Sequence, residues 1–119
     1  MVYRILVASY SNDVSTLTFD PDTRSLTLSS SISVGFHPSW ITPHPTDKSI
    51  VFTALEQAEG KIVVLKLDDD GRATLVGDGP SRGADPCTSV AIDDQLLLAN
   101  VRPFICVIGQ VLSLMTGSR

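Results

Sequence analysis

Val51-Phe-Thr-Ala-Leu-Glu56 has two counterparts elsewhere in the chain, and their spacing betrays the architecture. Ile5-Leu-Val-Ala-Ser-Tyr10 lies 46 residues before it, and Leu96-Leu-Leu-Ala-Asn-Val101 lies 45 residues after it. Two further pairs keep nearly the same spacing. Val14-Ser-Thr-Leu-Thr-Phe-Asp20 matches Ile62-Val-Val-Leu-Lys-Leu-Asp68 at 48 residues, and Pro38-Ser-Trp-Ile-Thr matches Pro86-Cys-Thr-Ser-Val at the same distance. Independent matches at a period in the mid-forties indicate one repeated supersecondary unit.

What the unit contains follows from its short runs of apolar and β-branched residues, which alternate with clusters of Gly, Pro, Asp and Ser. The spacing predicts strands over 4–9, 14–20, 25–31, 39–43, 49–55, 61–67, 73–77, 87–92 and 95–100, and no helical stripe. Asp20-Pro21-Asp22, Pro45-Thr46-Asp47, Asp68-Asp69-Asp70-Gly71 and Asp93-Asp94 supply tight reversals between them. Four antiparallel strands per unit at this period define a β-propeller blade, so the fold class is all-β. The repeats fall near 4–31, 39–78 and 86–101, which makes a partial propeller of two blades and part of a third over residues 1–101. With strands lettered a to d from the axis outwards, Pro38-Ser-Trp and Pro86-Cys-Thr open strands a, and the chain enters its first blade at strand b.

Composition narrows the class. The 119 residues are 43% hydrophobic and 18% charged, as in a globular chain with one core. A formal charge of −4 and the lack of a basic stripe argue against a nucleic-acid partner. Cys87 and Cys106 are too few for a disulfide framework and lack metal-ligand spacing, which favours a reduced, cytoplasmic setting and no metal. The apolar run before Asn12 is too brief for a signal segment, so the start of the chain is expected to be mature structure. The Asp68 loop is no EF-hand, since Gly71 comes too early and the later Glu is missing.

VASYSNDVSTLTFDPDTRSLTL, VGFHPSWITPHP, LEQAEGKIVVLKLDDDGRATLVG and GADPCTSVAIDDQLLLAN together resemble the N-terminal part of the seven-bladed lactonase propellers. That family includes the propeller-type 6-phosphogluconolactonases and the fungal carboxy-cis,cis-muconate cyclases. The resemblance spans about Ile5 to Asn100. It implies hydrolysis of a sugar lactone such as 6-phosphogluconolactone, without a cofactor, with muconate cyclisation as the alternative within enzymes. A non-catalytic binding or structural fragment is the alternative outside them, because the family's strongest catalytic candidates lie on later blades. The sequence departs from its relatives at Thr88, where they often carry His, and at Val101-Arg102-Pro103, where they continue into a further strand c.

Lactone hydrolysis needs a general base for water and donors or cations for the developing oxyanion. In the propeller assignment the d-to-a loops (34–38 and 80–86) and the b-to-c loop (56–60) share one face, so His37, Glu56, Arg82, Asp85 and Asn100 are the candidate channel-mouth residues. Each has a plainer reading. Glu56 is either a substrate-facing carboxylate or a solvated strand end, and His37 either a site residue or an exposed loop histidine. Arg82 with Asp85 is either an anion site or an exposed ion pair. His44 is expected to bond a turn, Trp40 to pack between blades with one partner for its N–H, and Cys87 to be a small buried apolar residue. Ser39 lacks a nucleophile-elbow motif.

Residues 102–119 read as a non-repeat apolar tail with a helix-compatible stretch over 107–115. Too short to span a membrane, it is either a cap on the last blade or, since Val-Arg fits a fungal-type intron donor encoded as GTNCGT, translation into an unspliced intron. The expected partners are accordingly a small lactone or sugar acid, no membrane, and a second copy through exposed blade faces.

Overall fold

In the computed structural model, which describes residues 1–102 and the backbone of residues 105–110, every regular element is a β-strand. The order is β1 (Tyr3–Ala8), β2 (Asp13–Asp20), β3 (Ser25–Ser33), β4 (Pro38–Pro43), β5 (Ile50–Leu55), β6 (Lys61–Leu67), β7 (Ala73–Pro80), β8 (Ala84–Ile92), β9 (Gln95–Arg102) and β10 (Ile105–Gln110). They form three antiparallel sheets, ordered β1-β2-β3, β4-β5-β6-β7 and β10-β9-β8. The middle sheet is a complete blade, strands a to d. The first holds b, c and d, and the third holds a, b and c.

The internal repeat extends to the irregularities of the ladder. The pairing shifts register after Pro38 and again after Pro86, and between Thr16 and Leu17 as between Val64 and Leu65. Both pairs of bulges stand 48 residues apart, the spacing already seen in the sequence. Bulges re-aim side chains and sharpen twist, so their recurrence means the sheets bend alike and can stack.

Stacking creates two cores that share the middle sheet. On β5, Val51 and Leu55 face the first sheet, while Ile50, Phe52 and Ala54 face the third. On β6, Val63 and Leu65 face the first, and Ile62 and Val64 the third. Alternation of side chains along a strand delivers this split, and burial on both sides explains why β5 is apolar at every position but Thr53 rather than alternating. The first core is completed by Val14 and Val34, with Leu6, Ala8 and Ile32 packed at its margin; the second by Leu96 and Leu98, with Ala91 and Val76.

Side-chain bonds tie the blades as well. Near the axis, the Thr42 hydroxyl bonds the Ser89 hydroxyl at 2.7 Å and its carbonyl at 2.9 Å, and Trp40 Nε1 donates to the same carbonyl at 3.2 Å. Between the first and second sheets, Thr16 Oγ1 donates to the Gly71 carbonyl at 2.8 Å and Arg4 Nε to the Asp70 carbonyl at 2.8 Å. Gly71 has φ of 79°, and a Cβ there would press on Arg4 and Thr16, so the turn residue serves both conformation and close approach.

Two expectations change. The segment expected to leave the repeat contributes a strand: β10 pairs with β9 from Ile105↔Asn100 to Gln110↔Gln95, in the place of strand c. The free N–H and C=O groups along β9 need partners, and pairing supplies them where a helix over 107–110 could not. The remainder of the helix-compatible stretch, 111–115, lies outside the described residues. Cys87, in turn, is exposed rather than buried. It sits in the bulge between Pro86 and Thr88, next to the buried Pro86, where it has no partner residue on β9.

Candidate functional site

The loops entering strands a and leaving strands b meet on one face, and backbone bonds hold them there. The Glu56 N–H donates to the His37 carbonyl at 2.9 Å, and the next residue, Gln57, accepts from the Asp85 N–H at 2.9 Å. The β5–β6 loop therefore clasps both a-strand entrances. It is also laced to the loop before β8, with Gly60 donating to Gly83 at 3.0 Å and Ser81 to Gly60 at 2.8 Å. Gly60 permits this approach: a Cβ there would lie 2.2 Å from Ser81 Oγ and 2.5 Å from Pro86 Cδ.

His37 and Asp85 occupy equivalent positions 48 residues apart, each just before the proline that opens a strand a. Both adopt left-handed backbone, with φ of 49° and 54°. A non-glycine residue held there costs on the order of 1 kcal/mol or more, and such strain gathers where a side chain must be aimed. Arg82 shares the conformation, at φ of 59°.

Around His37 the side chains converge. Tyr10 Oη donates to Glu56 Oε2 at 3.0 Å, and the Tyr10 ring meets the His37 imidazole edge-on with centroids 5.1 Å apart. Phe36 stacks on that imidazole with ring centroids 3.6 Å apart. Tyr10 is 66% exposed, and Glu56 and His37 are half-buried, so the cluster is open to solvent. The Glu56 carboxylate holds the Tyr10 phenol above its ordinary pKa, first by accepting its hydrogen bond and second by its charge.

The other candidates fall elsewhere. Asp85 pairs with Arg102, whose Nε donates to its carboxylate at 3.0 Å, rather than with Arg82, which points its exposed side chain outwards. Asn100 does not line the rim: it is 5% exposed, donates from Nδ2 to the Ser81 carbonyl at 3.0 Å, and would clash with any side chain added at Gly83. Its role is to hold the loop under the rim. Its Oδ1 is buried without a partner among the described residues. His44 bonds its turn, with Nδ1 accepting from the Thr46 and Asp47 N–H groups at 3.2 and 3.0 Å. Ser39 Oγ donates to the Pro86 carbonyl at 3.3 Å, which engages it between inner strands. Trp40, with Leu6, Val7, Ala8, Ser39 and Ile41, lines an open groove of about 300 Å³ along the unpaired edge of β1. Among the described residues, no group of three or more His, Cys, Asp or Glu could hold a metal ion.

Tyr10 is the residue the sequence reading passed over. The signal was present, because the repeat aligns Tyr10 with Glu56 as the residue ending each strand b. Two such residues on neighbouring blades reach the same patch of the mouth.

Comparison with known proteins agrees with this architecture. The family described as lactonase, 7-bladed β-propeller, matches residues 4–101. A Bacteroides uniformis protein assigned as a 6-phosphogluconolactonase superposes with a TM-score of 0.70 and 26% identity, over 80% of this chain and 29% of that one. The periplasmic gluconolactonase of Pseudomonas aeruginosa superposes with a TM-score of 0.79 and 20% identity, over 91% of this chain and 34% of that one, and so shares the fold. This chain thus spans about a third of the length of these solved structures. A 55-residue stretch is also 40% identical to a protein assigned as trehalose-phosphate phosphatase J of Arabidopsis thaliana, over 46% of this chain and 15% of that protein. That local match is too short to compete with one that covers the repeats. With three stacked antiparallel sheets, bulges recurring at the repeat spacing and a family match across nearly all of the described strands, the chain belongs to the seven-bladed β-propeller lactonase family.

Proposed function

We propose that this chain forms part of the substrate-binding rim of a sugar-lactone hydrolase, with 6-phosphogluconolactone as the representative substrate. The observation that carries the reading is the cluster of Tyr10, His37 and Glu56, brought from two blades to one solvent-open patch on the face where the a and b strands end. Family membership and the likeness to a protein assigned as a 6-phosphogluconolactonase support this reading of the reaction class.

The chemistry fits the groups present. A lactone opens when water adds to its carbonyl and the acyl–oxygen bond breaks, leaving a carboxylate and a hydroxyl. A base must take a proton from the water, and the ring oxygen must receive one. Glu56 can accept hydrogen bonds from substrate hydroxyls or from that water, and Tyr10 fixes which carboxylate oxygen stays free. His37, braced between Phe36 and Tyr10, can donate to or accept from the same ligand. The stacked Phe36 ring offers an apolar platform for the C–H face of a sugar.

The test reads binding and turnover together. The chain has two histidines, so titration with 6-phosphogluconate should shift the imidazole resonances of His37 and leave those of His44 in place. Glu56→Gln should reduce the His37 response several-fold. Equal response at both histidines, or none at His37, removes the cluster from the ligand site. Lactone hydrolysis above the uncatalysed rate by the 119-residue protein would further show that these blades carry chemistry as well as binding.

A further inference from the structure

We infer that Arg102, aimed by Asp85, anchors the phosphoryl group of the ligand, so that the rim reads a phosphorylated sugar acid through two half-sites side by side. The inference rests on the sugar-lactone reading of the His37 cluster and concerns the end of the ligand which that cluster does not address. Its warrant is the repeat. Asp85 stands before Pro86 as His37 stands before Pro38, 48 residues earlier, and both hold left-handed backbone. Pro38 pairs with Leu55 and Pro86 with Asn100, so each position faces the end of its own strand b. The fold thus presents a side chain at the second position by the same device as at the first, one blade on.

The two positions are also held close together. The His37 carbonyl accepts from the Glu56 N–H at 2.9 Å, and the Asp85 N–H donates to the Gln57 carbonyl at 2.9 Å. Glu56 and Gln57 are consecutive, with Cα atoms about 3.8 Å apart, so one ligand can lie across both half-sites. Their chemistry differs. The first presents the Glu56 carboxylate, which takes hydroxyl donors and repels anions. At the second, Arg102 Nε donates to Asp85 Oδ2 at 3.0 Å, and Nη2 donates to the same oxygen. A guanidinium carries its N–H donors in one rigid plane, and this pairing commits a single edge of it. The remaining edges belong to a side chain that is 70% exposed, whereas Asp85 is 22% exposed, so the carboxylate is the brace and the guanidinium the open group. A fork held in this way matches two oxygens of a phosphoryl group. A lactone has no carboxylate until it opens, so the anion that the substrate itself can offer here is the phosphoryl group at its far end. The strained backbone at Asp85 then has a purpose, since it aims the brace.

The experiment follows the His37 resonances during titration with 6-phosphogluconate and with gluconate, which share a carboxylate and differ in the phosphoryl group. The wild type should bind 6-phosphogluconate about tenfold more tightly. Arg102→Gln should abolish that preference and leave gluconate affinity unchanged, whereas a purely structural ion pair would weaken both ligands alike. Arg102→Lys keeps the charge but cannot hold a carboxylate and a phosphate in one plane, and should lose most of the preference too. Arg82→Gln removes an equal charge from the same loop without touching the Asp85 pair, and should leave the preference in place. The anchor is overturned, with the lactone reading intact, by a wild type that responds at His37 but shows no preference, or by an Arg102→Gln protein that retains it. Loss of both ligands in an Arg102→Gln protein that keeps its strand circular dichroism overturns it as well. If Arg102→Gln does not fold, Arg102→Lys decides in its place, and full preference in that variant overturns the anchor. A wild type whose His37 responds to neither ligand removes the lactone reading itself, and the anchor with it.

Discussion

The hydrogen bond from Tyr10 to Glu56 couples a protonation state to the geometry of the rim. The phenol donates only while it holds its proton, and its pKa in the folded chain is raised above the ordinary value of about 10. The contribution of this bond is therefore complete below the unfolded pKa and lost as pH rises through the folded one. Spectroscopic titration of the phenolates should show Tyr10 ionising at lower pH in Glu56→Gln than in the wild type; an unchanged titration would mean that the carboxylate does not hold the phenol. At this scale the sequence was only partly legible. His37 and Glu56 could be picked because a loop before a proline and the end of a strand b are recognisable positions. Asn100 was misplaced, because whether a residue near the end of β9 turns to the rim or beneath it depends on the room that Gly83, lacking a side chain, leaves for it. The partner of Asp85 was also hidden, since Arg102 lies where the repeat pattern fades.

Strands, turns and clasps make up the next scale, and here the sequence told most. Strand positions follow from alternation and turn chemistry, and the observed limits agree with them to within about three residues, extended mainly where proline or glycine had suggested an earlier stop. The fate of residues 105–110 was not legible, because apolar runs of that length suit a helix or a strand and the open edge of β9 decides between them. The β5–β6 loop is the element on which the site most depends. Replacing Gly60 with Ala forces a methyl group against Ser81 Oγ, Pro86 and the Gly83 carbonyl, in a loop whose backbone is held by the Gly60–Gly83 and Ser81–Gly60 bonds. Gly60→Ala should cost about 2 kcal/mol or more in chemical denaturation, and should weaken ligand response at His37 although the two residues do not touch. A variant as stable as the wild type would show that the loop is free to re-form.

For the whole molecule, the decisive feature is that, among the described residues, the middle sheet alone is covered on both sides. Its strands β5 and β6 carry Phe52, Thr53, Ile62, Val63, Val64 and Leu65, half of the largest fully buried side chains, while the flanking sheets each bury one face. Amide hydrogen exchange should therefore be slowest in β5 and β6, with protection approaching that of global unfolding, and faster in β1 and β3. Uniform protection across all three sheets would contradict this gradient. The propeller itself could be read from the repeat because period and strand count do not depend on contacts. How the sheets share their cores could not, because parity along β5 has no meaning until its neighbours are placed. That parity bears on strand pairing. Sliding β5 by one residue against β4 or β6 would exchange the contents of the two cores, sending Phe52 into space shaped for Val51 and leaving both interfaces ill-filled. The β4-β5-β6 register therefore decides which residues each flanking sheet meets, and a slipped hairpin pair offers neither of them a surface it fits.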